Sequence, residues 1–415
     1  LGTNTDFFTA SWAWGANLQY LQFIKIVRVT TLQRHSSPPV QHTANNVQDV
    51  PALIRYPGRT SHSDPAHHFS TYRLATILSG TLTISLFSFW VLSHRNPDLV
   101  IYYDFLPMSY LVFLLILFIL PLRYHSTQGR YHFLGTLKRI SIGGIAEAKD
   151  GRFGDILLAD VLTSYAKVLA DLFISVCMFF SPSGSATARP DRSCGGTFLV
   201  PLIIAYPSAV RLRQCLIEYR RTQLYGGSGG THLANALKYA TAFPVIILAA
   251  MQRGSFDSGT ANADDAAPGE KGLYRLWVLA VLVNSLYSFW WDVTRDWDLT
   301  LLTPARADPR HPFGLRQNLV FRSRNIYYIA IALDFCLRMT WTLKLSGSTD
   351  AFNDWEGGVF TIQVLEVFRR WVWIFFRVET EWVRGAGVGA GVLQGPGMDD
   401  VLLGDYSSSG KDDDD

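Results

Sequence analysis

Nine apolar runs, each long enough to cross about 30 Å of hydrocarbon as a helix, recur along this chain with polar loops between them. They fall near 6–27, 71–92, 101–121, 155–179, 197–216, 235–251, 273–291, 326–345 and 358–377. Inside hydrocarbon each backbone N–H and C=O must be bonded within the protein, and a helix does this with its own residues. The pattern predicts an all-α, polytopic helical membrane protein with about nine transmembrane helices. The first run is the weakest, poor in aliphatics and carrying Asn17, Gln19, Gln22 and Lys25. Composition alone does not decide the class. Values of 48% hydrophobic, 13% aromatic and 17% charged are ordinary for a large soluble protein, because the loops dilute the average.

The charges between the runs alternate. Loop 28–70 carries Arg28, Arg34, Arg55 and Arg59, whereas 93–100 has only Arg95. Residues 122–154 and 211–234 are basic, the latter through Arg211, Arg213, Arg220 and Arg221, and so is the stretch from Arg295 to Arg324. The stretches 180–196, 252–272 and 346–357 are poor in Lys and Arg. Positive loops stay on the cytosolic side, so the rich loops and everything after Arg377 are expected in the cytosol. The poor loops and residue 1 then face a lumen or the outside. No signal peptide is visible and the first residue is Leu1, so a further helix is expected upstream. Residues 385–415, Gly-rich and ending in four aspartates, read as a disordered cytosolic tail. Cys177, Cys194, Cys215 and Cys336 form no CxxC pair, and three lie in or beside apolar runs. They are expected to be small core residues.

The informative charges are those inside the runs. A guanidinium near mid-bilayer costs at least ~2.5–3.5 kcal/mol, yet Arg369 and Arg370 sit side by side in Val359–Phe376. Asp160, Thr163, Lys167 and Asp171 are spaced three or four apart and form one polar stripe. Lys238-Tyr239 opens another run, Asp292 and Asp296 follow Phe289-Trp-Trp291, and Asp334, Arg338 and Glu366 complete the set. Asp334–Arg338 and Glu366–Arg370 have the i,i+4 spacing of structural ion pairs. Local pairing does not account for all of Lys238, Arg338 and Arg369. Cations mixed with a few carboxylates, a Tyr and a Thr suit a polyoxyanion: arginine forks hold phosphate or sulfate oxygens in pairs and lysine adds a point charge.

Other signals are weaker. Gly226-Gly-Ser-Gly-Gly230 lacks the Lys-Ser/Thr of a phosphate loop and reads as a linker. His35, His42, His62, His67 and His68 lack zinc spacing. With no nucleophile elbow, HExxH or nucleotide fingerprint, the chain is expected to be no enzyme, to need no cofactor or metal, and to bind no nucleic acid.

Five ordered segments then show a resemblance. Phe153–Ser164, Leu237–Thr241, Trp291–Trp297, Leu337–Trp341 and Leu365–Trp373 with Phe376–Glu379 resemble the EXS family. That family includes the eukaryotic phosphate exporters related to the xenotropic and polytropic retrovirus receptor. The likeness runs from about Trp12 to Trp382. It implies a phosphate pathway lined by Asp160, Thr163, Lys238, Tyr239, Asp292, Arg338, Arg369 and Arg370, with Trp341 as a gating aromatic and Glu366 in support beside the arginines. The family often has Asn at the position of Thr163, which keeps a donor and an acceptor but loses reach. The implied organisation is peripheral helices with a long cytosolic loop over 1–150, an EXS transport core of six helices over 151–384, and the tail 385–415.

No SPX domain is found in these residues, so the layout resembles the family's SPX-less, ER-retention-defective branch. The expectation is therefore a phosphate transporter in a Golgi or ER–Golgi membrane, returning lumenal phosphate to the cytosol and supporting glycosylation and retention of ER and Golgi proteins. The rival expectations are a non-transporting adaptor that retains Golgi glycosyltransferases through coat-recruiting proteins, and a plasma-membrane exporter whose SPX part lies upstream of Leu1.

Overall fold

The structure is a computed structural model that describes residues 67–93, 96–119, 127–147, 152–181, 194, 198–257, 268–321, 323–345 and 356–389. The run 6–27, the tail beyond 389 and three of the five histidines (His35, His42 and His62) lie outside the described residues. His67 and His68 open a helix, and no group of metal-ligating side chains occurs among the described residues.

All the regular structure among the described residues is helical. Helix α1 (His67–Ser93) is followed by α2 (Pro97–Tyr102) and α3 (Phe105–Ile119). Polar residues cross α1 cheaply because their hydroxyls bond back to the preceding turn, as in Thr76 to the Tyr72 carbonyl at 2.9 Å and Thr81 to that of Ile77 at 2.8 Å. Leu78, Leu82 and Tyr110 join α1 to α3, and the Tyr110 hydroxyl donates to the Leu78 carbonyl at 3.0 Å. The outward faces of α1 (Ile84, Phe87, Trp90) and of the later helix over 268–291 (Leu279, Val283, Leu286) are exposed and apolar, as lipid contact requires.

Helix α4 (Thr127–Ser141) leads into α5 (Arg152–Ser164) and α6 (Ala166–Phe179), which meet at Tyr165 with a 60° bend. The expected single helix over 155–179 is thus a broken pair, and its stripe divides at the break. Helix α7 (Leu199–Leu224) extends eight residues beyond the run read at 197–216. Arg211, Gln214, Glu218 and Thr222 recur on its buried face, so Arg211 is a helix-interior residue rather than a loop cation. A Gly-rich turn, with Gly226 at φ 82 and Gly229 at φ 61, reverses the chain into α8 (Gly230–Ala240) and α9 (Ala242–Asp257). The linker reading of that motif matches this turn.

Helix α10 (Pro268–Trp291) ends in a π-turn over Asp292–Asp296. The stretch 297–321, expected as a basic loop, folds into the main core: Trp297, Leu299 and Leu315 pack with Tyr327, Trp373 and Phe376. Its Arg316 is buried against Glu379 at 2.6 Å and Thr380 at 2.5 Å. Helix α11 (Asn325–Arg338) passes into a 3-10 turn (Thr340–Leu345), and α12 (Glu356–Gly389) closes the fold.

Among the described residues four helical stretches are long and apolar enough to cross a membrane: Tyr72–Ser93, Leu199–Leu224, Gly230–Gln252 and Lys271–Asp296. The α5–α6 pair makes a fifth if the two count as one span. Helix α11, at 14 residues, is too short for that set, and α12 is kept out of it by its charged residues. Cys177 and Cys194 correct one expectation outright. They form a disulfide, Cα–Cα 6.1 Å, that ties the end of α6 to the start of α7; Cys215 is buried and free.

Candidate functional site

Six elements bring their ionisable residues to one buried cluster. At its centre is Asp292, fully buried at the start of the π-turn. Its carboxylate meets three cations: Lys238 of α8 at 2.8 Å, Arg338 of α11, and Arg369 of α12 at 3.6 Å. The π-turn also turns Asp296 toward Lys238, at 3.2 Å, so one ammonium bridges both carboxylates. Extra residues of this kind in a helix often mark functional sites, because they re-aim the side chains that follow.

Helix α12 adds the arginine pair. Arg369 forks onto Glu366, Nη2 to Oε1 at 2.5 Å and Nε to Oε2 at 3.0 Å, and reaches Asp334 at 3.2 Å. Asp334 in turn holds Arg338 at 3.0 Å, the i,i+4 pair expected from sequence. The other expected pair is not formed. Glu366 takes Arg369, three residues on, because Asp334 and Asp292 already lie on that side of the helix. Arg370 faces the opposite way. Its Nε donates to Ser164 Oγ at 2.9 Å and its Nη2 to Thr163 Oγ1 at 3.2 Å, and its guanidinium stacks on Trp373 at 4.7 Å. Its Nη1 is buried with no hydrogen-bond partner, and no carboxylate pairs with it among the described residues. Ser164 also donates to Glu366 at 2.8 Å, which couples the two arginines through the end of α5.

A second lobe surrounds Asp160 on α5. Arg211 Nε donates to its Oδ1 at 2.7 Å, the Tyr239 hydroxyl donates to the same oxygen, and Arg211 lies 4.9 Å over the Tyr239 ring. Gln214 accepts from Arg211 at 2.7 Å and donates to the Gly144 carbonyl at 2.9 Å. The cations Arg211, Lys238, Arg338, Arg369 and Arg370 thus stand against Asp160, Asp292, Asp296, Asp334 and Glu366. They are unevenly shared: Asp292 has three cation neighbours, and Arg370 has no carboxylate within ion-pair distance among the described residues. An oxyanion arriving at Arg370 would meet a free guanidinium N–H, and the hydroxyls of Thr163 and Ser164 could add to it only by turning away from the Asp160 carbonyl and Glu366.

Nine of the ten residues singled out in the sequence, Asp160, Thr163, Lys238, Tyr239, Asp292, Arg338, Glu366, Arg369 and Arg370, meet in this cluster. Trp341 lies in the 3-10 turn after α11, half-buried, with its indole N–H unpartnered and no polar link to the cluster. Lys167 stands apart and is exposed, and Asp171 instead bonds Gln363 of α12. Sequence reading left out Arg211 and Ser164, and it named Asp296 and Asp334 among the charges inside the runs without assigning them to the phosphate pathway. The signal for Arg211 was the spacing of 211, 214, 218 and 222, polar positions on a single helix face.

The EXS family model matches residues 4–383. This chain belongs to the EXS family. Among its EXS relatives, Protein ERD1 homolog 2 of Schizosaccharomyces pombe is 36% identical over 274 residues, 64% of each chain. Protein ERD1 of Kluyveromyces lactis is 32% identical over 290 residues, 67% of this chain and 70% of its own. Solute carrier family 53 member 1 of Mus pahari is 28% identical over 293 residues, 68% of this chain and 39% of its own. The matches to the first and third of these leave more than a third of those relatives' length uncovered. Family membership and the apolar helices make this EXS chain an integral membrane protein.

Proposed function

We propose that this chain transports inorganic phosphate across a Golgi or related endomembrane, from lumen to cytosol, and thereby supports glycosylation and retention of ER and Golgi proteins. The observation that carries the reading is Arg370: a buried guanidinium with a free Nη1, no carboxylate in ion-pair contact among the described residues, and the hydroxyls of Thr163 and Ser164 beside it. The relative named as a solute carrier favours transport, and the relatives named ERD1 favour the SPX-less branch. Phosphate enters at Arg370 and exchanges for carboxylates on the forks of Arg369 and Arg338. Asp292, Asp334 and Glu366 hold those forks when no anion is present and compete for them when one is, which keeps binding weak enough for release. The segments from 155 to 377 form the moving core, with Trp341 closing the path.

The disulfide supports the orientation of the chain in the membrane. Cys177–Cys194 closes the 180–196 stretch, which the charge pattern places in the lumen, and disulfides persist in oxidising compartments. The C-terminal end of α12 then lies in the cytosol.

The test is radiolabelled phosphate flux into vesicles holding the purified protein. Arg370→Ala is expected to abolish flux at unchanged protein level, and wild-type-like flux would remove the site assignment. An adaptor acting through its cytosolic loops would show its sorting defect in loop variants and not in Arg370→Ala.

A further inference from the structure

Lys167 is the second residue of α6, three residues beyond Ser164 and just past the bend at Tyr165. It is exposed, and no carboxylate pairs with it among the described residues. An ammonium turned into hydrocarbon is costly, so water must reach this position. Two neighbouring carboxylates are also accessible from this face. Glu366, although bonded to Arg369 and Ser164, keeps its side chain 37% exposed. Asp171, one turn beyond Lys167 on the same face, is half-buried and bonds Gln363 of α12. The contact between Asp171 and Gln363 lies one turn nearer the Cys177–Cys194 end than the contact between Ser164 and Glu366. At the centre of the cluster the packing is dense: Asp292 and Trp373 are fully buried.

We propose that Lys167 is an outer binding residue for the transported oxyanion, standing in a water-filled vestibule between α6 and α12 that opens toward the disulfide end and leads to Arg370. A lysine ammonium is a strongly hydrated point charge without a fixed fork, so it concentrates anions without fixing their orientation. Asp171 and Glu366 flank it and keep the vestibule close to neutral, which shortens residence. From there the anion reaches the free Nη1 of Arg370, where the Thr163 and Ser164 hydroxyls turn from the Asp160 carbonyl and Glu366 to donate to it. The identity of the anion rests on the phosphate reading above; the vestibule does not.

Two measurements test it. In transporting vesicles Lys167→Gln raises KM for phosphate about three-fold or more, exceeding any effect on kcat. Lys167→Arg restores it, and salt at about 0.5 M removes most of the difference by screening. Separately, Lys167→Cys in a Cys336→Ser background is treated with a membrane-impermeant, negatively charged thiol reagent. The thiol reacts from the side of the disulfide, and excess inorganic phosphate slows the reaction. A thiol that does not react, a reaction that phosphate leaves unchanged, or an unaltered KM in a protein that transports overturns the proposal. If the wild-type protein moves no phosphate but phosphate still protects the thiol, the transport reading fails and the vestibule stands.

Discussion

Removing the Arg211 guanidinium leaves the Asp160 carboxylate buried with Tyr239 as its remaining hydrogen-bond donor. Breaking one side of a buried ion pair costs about 3–5 kcal/mol, whereas replacing both partners by apolar or neutral groups is often close to neutral. Arg211→Leu is therefore expected to lower the unfolding temperature in detergent sharply, and Arg211→Leu with Asp160→Asn to recover most of the loss. A double variant no better than the single one would show that the two do not act as a pair. Arg369 and Arg370 were legible in the sequence because two guanidiniums in an apolar run have no cheap explanation. Arg211 was not, because an arginine at the edge of such a run reads equally well as the start of a cytosolic loop. The choice of Glu366 for Arg369 over Arg370 was also illegible. Spacings of three and four bring either arginine within reach, and Asp334, on another helix, decides between them.

At the scale of elements, the α6–α7 connection and the broken α5–α6 pair position the site. The disulfide closes a segment with a sequence separation of 17, for which loop-closure entropy gives about 3 kcal/mol. Cys177→Ser is expected to lower the unfolding temperature in detergent. In the wild type, alkylation without reductant should leave both cysteines unmodified; modification of either without reductant would contradict the bond. The α4–α5 connection is held differently. Gly143 at φ 69 leaves no room for a Cβ beside Arg213, whose side chain would lie 2.6 Å away, and Gln214 and Arg221 bond the neighbouring carbonyls. The apolar runs showed where helices would form, but not the bend at Tyr165 or the π-turn at Asp292. Both depend on partners distant in sequence, such as Glu366 for Ser164 and Lys238 for Asp296.

Across the whole molecule, α12 links the arginine cluster to the folded stretch 297–321. Its 34 residues run about 51 Å at 1.5 Å per residue. In its first half Arg369 pairs with Asp334 of α11 and Glu366 takes Ser164 of α5, and further along Glu379 accepts the Val320 N–H at 2.8 Å, takes the Tyr327 hydroxyl and pairs with Arg316. Movement at the arginines is thus tied to the packing of that stretch. Glu379→Gln keeps the shape but weakens the Arg316 contact, and it is expected to reduce maximal phosphate flux several-fold while changing KM less. A KM effect as large as the flux effect would place Glu379 in the binding path instead.

The polar face of α7 also bears on how the chain is made. Although Leu199–Leu224 is apolar enough to cross a membrane, Arg211, Gln214 and Glu218 on one side of it favour entry into lipid beside a partner helix. Asp160, its partner, lies 51 residues earlier and emerges from the ribosome first. Helix α5 is therefore expected to stay beside the translocon until α7 arrives, so that the two enter the bilayer with their charges already matched.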